Sequence, residues 1–259
     1  MSTKITKLKE KLHRSWIDIA LIYSLSLSMG YIILRKMWIS TFAERWLVSS
    51  MLISLYLLGF VHYNLDKSRP LAQLRSLQGL GLPNLISLTR GLFLISLAGF
   101  IFLPRPRVLS GWVPGLLYGC SLIGDYIDGY AARYLNSETV LGAKLDQELD
   151  SLGVLIASLA AYSYGMIPIW VAVTVGSARY IFILGKWVRR KMGESVHELD
   201  PKFSRLLIAN IQRSFLFLVL LPIFSSPLTR SIASILMILF IGGFVRDWLI
   251  VIGIIENDD

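Results

Sequence analysis

The chain has a single cysteine, Cys120, so no disulfide can form within it. Histidine is almost as scarce, and His13, His62 and His197 show none of the spacing that a His-built metal site needs. Acidic residues are outnumbered, with 17 Asp and Glu against 26 Lys and Arg. There is no internal repeat, no low-complexity tract and no stretch with the composition of a soluble domain. These absences remove disulfide frameworks, repeat arrays and histidine metal centres from consideration. What remains as the dominant signal is hydrophobicity.

Of the 259 residues, 54% are hydrophobic, and the mean hydropathy is +0.61. A soluble domain holds about 45–50% apolar residues even with glycine counted. Here the excess lies in eight apolar stretches, at about 17–34, 46–62, 84–103, 111–132, 145–165, 167–185, 206–224 and 231–253. Each approaches the roughly 20 residues that a bilayer span requires. The first is too long for the apolar region of a signal peptide and lacks a clear small-residue cleavage site, so it is expected to be a retained helix. The fold class expected is therefore an all-α integral membrane protein of about eight spans.

The formal net charge of +9 would suggest nucleic acid in a soluble protein. In a membrane protein it suggests orientation instead, because Lys and Arg gather on the cytoplasmic side. The N-terminus and the even-numbered loops hold sixteen basic residues, Lys4 to Arg14 and Lys67 to Arg205 among them. The opposite loops hold six: Arg35, Lys36, Arg45, Arg105, Arg107 and Arg230. Both termini are thus expected in the cytoplasm, and no nucleic-acid partner is expected.

The first two spans form a motif-free hairpin. Residues 63–83 follow, with Leu71, Leu74, Leu77, Leu80 and Leu82 set among polar residues. That pattern suits either a helix lying in the cytoplasmic interface or an ordinary connector. Pro83 and Asn84 then open the third span, as Pro near a helix start often does.

The chemistry concentrates in 125–150, DYIDGYAARYLNSETVLGAKLDQELD. Asp125 and Asp128 fall near the inner end of the fourth span, and Asp146 and Asp150 near the inner start of the fifth. Acidic side chains at such depth are costly and usually functional. Residues three or four apart share a helix face. Asp125, Asp128, Gly129 and Ala132 make one stripe, with Arg133 at its end, and Gly142, Asp146 and Asp150 make another. Packed antiparallel, the two helices would bring four carboxylates together. Hard cations such as Mg²⁺ relieve that repulsion and act with substrate phosphates. Gly129, Ala132 and Gly142 leave room for a base or ribose, and Arg133 offers a fork that matches a phosphate.

This stretch resembles the signature of the CDP-alcohol phosphotransferase family. The pattern is D, two residues, DG, two, AR, eight, G, three, D, three, D, and Asp125, Asp128, Gly129, Ala132, Arg133, Gly142, Asp146 and Asp150 meet every fixed position. Upstream, Pro83 and Asn84 with Arg90 look like the family's entry to its first core helix, and Thr139 matches a common family choice. The resemblance covers roughly 84–253 as a six-helix core, within a region taken as 69–259, and the separate hairpin in 1–68 lies outside it. It implies that Asp125, Asp128 and Asp146 hold two Mg²⁺ or Mn²⁺ ions, with Asp150 a further ligand and the general base. Asp128, Gly129, Ala132, Arg133, Thr139 and Gly142 would line the nucleotide pocket. The implied reaction joins a CDP-alcohol, CDP-diacylglycerol foremost, to an alcohol acceptor at the membrane and releases CMP. A homodimer is implied as well.

Other charges are less specific. Arg179, Arg205 and Arg213 could meet an acidic acceptor or a lipid phosphate, or could be snorkelling anchors. Arg90 also lies in a span, and Arg246 and Asp247 read as anchors near the inner surface. Two other classes would also place acids in a membrane: an intramembrane prenyltransferase with Asp-bound Mg²⁺, and a non-catalytic acid-lined transporter. Neither needs Gly129, Arg133 and Gly142 at their places, and dependence on a nucleotide discriminates among the three.

Overall fold

A computed structural model of the chain describes residues 2–64, 82–106, 108–134, 140–199 and 203–255. Their regular structure is helical, without a strand: α1 (Ser2–Met37), α2 (Ser40–Asn64), α3 (Leu82–Ala98), α4 (Val113–Tyr134), α5 (Val140–Ser163), α6 (Ile169–Lys191), α7 (Phe203–Leu220) and α8 (Ser226–Val251). A short 3₁₀ turn, Val108–Trp112, leads into α4. Each of the eight apolar stretches of the sequence becomes a helix. The interfacial segment expected at 63–83 lies, from 65 to 81, outside the described residues.

Helix ends follow local chemistry. Pro83 occupies the first turn of α3, and Pro227 that of α8, where a missing N–H costs nothing. Pro168 caps the start of α6. Gly165 and Gly193 end α5 and α6 at φ of 69° and 76°, a backbone that side chains rarely adopt. In both, the two N–H groups past the helix fold back on its last carbonyls, as when Glu194 N–H donates to Arg189 O at 3.0 Å.

The chain forms an integral membrane protein. Among the described residues, Arg14–Met37, α2, α6 and α8 are each long and apolar enough to cross a bilayer unaided. Their outward faces are apolar, with Leu25, Leu52, Ile183 and Ile238 exposed. A helix clothed in exposed Leu and Ile is stable in lipid, where the backbone is satisfied internally. The remaining helices are shorter or carry ionised side chains.

Two compact units divide the chain, Met1–Gly153 and Val154–Asp259, with the boundary inside α5. In the first, α1 packs on α2, α2 on α3, and α3 on α4. Tyr23, Trp46, Leu57, Leu94, Ile95, Tyr118, Leu145 and Leu149 fill its core. In the second, α8 packs against both α6 and α7. Ser158 on α5 donates to Ala172 O on α6 at 3.2 Å, a close approach that Gly176 permits.

Candidate active site

The first unit places charge where its helices are most tightly packed. On α4, Asp125 and Asp128 are three residues apart and therefore share a face; on α5, Asp146 and Asp150 do so at a spacing of four. These two faces meet at a third helix. Arg90 on α3, only 2% exposed, reaches all four carboxylates. Its Nη2 lies 2.8 Å from Asp125 Oδ1 and 3.1 Å from Asp150 Oδ1. Its Nη1 lies 2.8 Å from both Asp128 Oδ2 and Asp146 Oδ1. A planar guanidinium carries five N–H donors in a fixed fork, which is what allows one side chain to serve four acids.

Two neighbours make this arrangement possible. Gly124 on α4 stands against the stem of Arg90, and any side chain there would run into its Cγ and Cδ. Ser87, one turn before Arg90 on α3, donates its hydroxyl to Asp128 Oδ2 at 2.8 Å. Asp128 is the most buried of the four side chains at 6% exposed, while Asp146 is the most open at 45%. The site therefore has a closed side at Asp128 and Ser87 and an open side at Asp146.

Asp125, Asp128 and Asp146 each offer a carboxylate oxygen, and these oxygens lie within 4.8 Å of one another. One guanidinium against four carboxylates leaves an excess of negative charge at the centre of an apolar unit. The donor set is all oxygen, the choice of hard divalent cations, and a cationic group already lies where the acids converge. The residues present thus fit a divalent metal.

The sequence model of the CDP-alcohol phosphatidyltransferase family matches residues 80–255. The chain belongs to that family. Among curated proteins it is 32% identical over 126 residues to the CDP-diacylglycerol–inositol 3-phosphatidyltransferase of Drosophila melanogaster, covering 47% of this chain and 52% of that one. It is 30% identical over 96 residues to proteins named "Putative cardiolipin synthase" from Mycobacterium bovis and Mycobacterium tuberculosis, covering 37% of this chain and 44% of each. The chain thus spans about half the length of the curated relatives it matches. No solved structure matches it significantly.

Within the CDP-alcohol phosphatidyltransferase region, the other expected site residues are placed as follows. Gly129 is half-buried on α4, next to Asp128, and Gly142 is half-buried in the first turn of α5. Ala132 and Arg133 belong to the last turn of α4, but their side chains lie outside the described set, as does Thr139 altogether. Arg179, Arg205 and Arg213 lie in the second unit, each half-buried. Arg205 Nε donates to Asp247 Oδ1 at 2.8 Å, so its guanidinium is engaged by an acid on α8.

The feature that sequence reasoning undervalued is Arg90. It was legible as a lone cation in an apolar span and as part of the family's entry pattern. Its four acidic partners lie 35 to 60 residues away, beyond the reach of any local spacing rule. Ser87 and Glu148 belong to no spacing pattern in the sequence. Glu148 is 7% exposed on α5 and accepts a 2.6 Å hydrogen bond from the hydroxyl of Tyr56 on α2. A buried carboxylate between two motif aspartates was the available signal.

Proposed function

We propose that the protein transfers a phosphatidyl group from CDP-diacylglycerol to the hydroxyl of a second alcohol and releases CMP, as a step of phospholipid synthesis. The observation that carries this reading is the convergence of Asp125, Asp128, Asp146 and Asp150 on one point inside an apolar helical unit. Membership of the CDP-alcohol phosphatidyltransferase family supports it over a prenyltransferase or an acid-lined transporter.

In this reading Asp125, Asp128 and Asp146, with Asp150 beside them, hold two Mg²⁺ or Mn²⁺ ions. Such ions, when bound, offset the charge of a diphosphate and of the reaction's transition state. Asp128, Gly129, Ala132, Arg133, Thr139 and Gly142 line the CDP pocket, the small residues giving a flat base access to the backbone. Asp150 takes the proton of the acceptor hydroxyl. The acceptor oxygen then bonds to the phosphorus of the phosphatidyl group as the bond from that phosphorus to CMP breaks, and CMP leaves with the electron pair. Arg179 and Arg213 are the candidates for an anionic acceptor or a lipid phosphate. Arg205 is the third, and Asp247 pairs with it.

Residues 1–68 form an added hairpin before a core at 69–259, and both termini and the basic loop 186–205 face the cytoplasm. The expected assembly is a homodimer. Inositol is the first acceptor to test, from the name of the insect relative; glycerol 3-phosphate, inositol phosphate and serine follow. The purified full chain is incubated with CDP-diacylglycerol, Mn²⁺ or Mg²⁺ and each acceptor, and CMP release is followed. Acceptor-dependent CMP release that EDTA abolishes supports the reading. Turnover of CDP-choline with a diacylglycerol, and none of CDP-diacylglycerol, would replace it with the reverse arrangement of donor and acceptor.

A further inference from the structure

The hairpin α1–α2 has no place in the chemistry above, yet its most specific contacts run to the helices that carry it. Tyr23 on α1, 2% exposed, donates its hydroxyl to Leu88 O on α3 at 2.6 Å, between Ser87 and Arg90. Trp46 on α2 donates its indole N–H to Ser96 O, two turns further along α3, at 3.0 Å. Both rings dock at glycines. A Cβ at Gly91 would come 2.7 Å from Tyr23 Oη, and a Cβ at Gly99 would run into Trp46 and lie 2.5 Å from Ser50 Oγ. Glycine in the middle of a helix costs stability, about 0.5–1 kcal/mol against alanine, so Gly91 within α3 marks a required close approach; Gly99 lies in the turn just past α3, where Trp46 leaves no room for a side chain.

The hairpin also reaches the helix of Asp146 and Asp150. Tyr56 on α2 donates to Glu148 Oε1 at 2.6 Å. Glu148 is two residues from each aspartate, so at 3.6 residues per turn it projects from nearly the opposite side of α5. The bond therefore fixes the rotation of α5 from its back. A side-chain tip lies about 5–6 Å from a helix axis, so a rotation of about 20° moves a carboxylate by about 2 Å. Metal and catalytic constellations tolerate displacements of only about 0.5 Å.

We propose that the N-terminal hairpin is a positioning element for the aspartate tetrad, holding α3 through Tyr23 and Trp46 and setting the rotation of α5 through the Tyr56–Glu148 hydrogen bond. This rests on the reading of the tetrad as a metal site. Tyr56 and Glu148 are positioning residues, acting on the site through Asp146 and Asp150 rather than touching substrate.

The test is Mn²⁺ binding to the full, detergent-solubilised chain, followed by the EPR signal of free Mn²⁺, with thermal unfolding in EDTA beside it. One net hydrogen bond corresponds to about a two- to tenfold change in affinity. Tyr56→Phe is expected to weaken Mn²⁺ binding by about that factor, a loss larger than its modestly lower unfolding temperature in EDTA accounts for. Glu148→Gln keeps an acceptor oxygen for the Tyr56 hydroxyl and is expected to fall between Tyr56→Phe and wild type. The double variant should be no worse than Tyr56→Phe alone. Gly91→Ala supplies a second, independent arm: it should weaken Mn²⁺ binding, and Tyr23→Phe, by removing the atom that the new Cβ meets, should restore part of it. Wild-type Mn²⁺ affinity in Tyr56→Phe and in Gly91→Ala would overturn the inference. So would affinity losses that only track unfolding temperature. Failure of the wild-type chain to bind Mn²⁺ would instead overturn the reading of the tetrad, and this inference with it.

Discussion

Among the described residues, the buried ionisable side chains Arg90, Asp128 and Glu148 all belong to the first unit. Among the described residues from 154 onward, the buried Ser and Thr are Ser158 and Thr229, whose hydroxyls donate to the backbone carbonyls Ala172 O and Met166 O, and further buried polar atoms belong to Tyr164, Arg179 and Arg205. The ion pairs seen in the second unit, Arg189–Glu194 and Arg205–Asp247, keep about a fifth or more of each side chain exposed. Of the two units, only the first holds charged side chains that are buried over their whole length among the described residues. The cost of buried charge persists in a membrane protein where it serves a function. The contrast favours α3, α4 and the start of α5 as the seat of the proposed chemistry, with the second unit's arginines less deeply buried.

The strongest way to break that contrast is to remove acids on each side of it. Asp125→Asn, Asp128→Asn and Asp146→Asn are each expected to lower CMP release by about a hundredfold or more, because each removes a charged ligand from the site. Asp247→Asn should stay within about threefold of wild type in CMP release, since Asp247 pairs with Arg205 and is not one of the four converging acids. Equal losses in both units would mean that acids matter here for folding rather than for chemistry. Asp150→Asn comes next. It keeps size and one carbonyl oxygen but cannot take a proton, and a positioned base contributes about 10²–10⁴-fold. Turnover should fall by that factor while Mn²⁺ and CDP-diacylglycerol still bind. Loss of metal affinity as complete as in Asp125→Asn would make Asp150 a ligand only.

Arg90 sharpens the comparison through stability. Removing one partner of a buried charge cluster leaves the others uncompensated, at about 3–5 kcal/mol. Arg90→Gln should therefore lower the unfolding temperature markedly in EDTA, and saturating Mn²⁺ should recover part of the loss, because a bound cation supplies what the guanidinium did. No recovery with Mn²⁺ would argue that Arg90 holds helices and not carboxylates. A smaller effect is expected one helix away. Gly124→Ala presses a methyl group into the Arg90 stem, and overpacking of this kind costs about 1–3 kcal/mol. Stability and Mn²⁺ affinity should fall together in that variant, whereas Gly243→Ala, which meets only Ile208 Cδ1 at 3.4 Å, should leave Mn²⁺ affinity unchanged.

How much of this was readable from the chain differs by distance. The eight helices follow from apolar runs, because a bilayer span is a property of about 20 contiguous residues. The run did not reveal that α1 starts at Ser2, since Lys4 to Lys11 can be helical outside the apolar layer. The two acidic stripes follow from spacings of three and four. That Arg90 sits between the stripes does not follow, because nothing local ties residue 90 to residues 125, 128, 146 and 150. The hold of Tyr56 on Glu148 spans 92 residues and was invisible for the same reason. Resemblance to a family supplied the expected roles of Gly129, Ala132, Arg133, Thr139 and Gly142. It was silent on the hairpin, which lies before the matched region.

The smallest expected effect concerns Arg205, the point where the second unit could still claim a part in the chemistry. An arginine that binds an anionic acceptor must have its fork free when the acceptor arrives. Arg205 Nε is 2.8 Å from Asp247 Oδ1, and the two side chains are 23% and 22% exposed. A pair this sheltered is worth little net once desolvation is counted, but removing one partner leaves the other charge uncompensated. Arg205→Gln and Asp247→Asn should therefore each lower the unfolding temperature, and the double variant should lower it no further than the larger of the two. Acceptor KM should not move in either. Arg179→Gln or Arg213→Gln should raise acceptor KM if one of them meets the acceptor's charge. A rise in acceptor KM for Arg205→Gln, with no such rise for Asp247→Asn, would show that Arg205 leaves its partner to bind substrate. That result would extend the chemistry into the second unit.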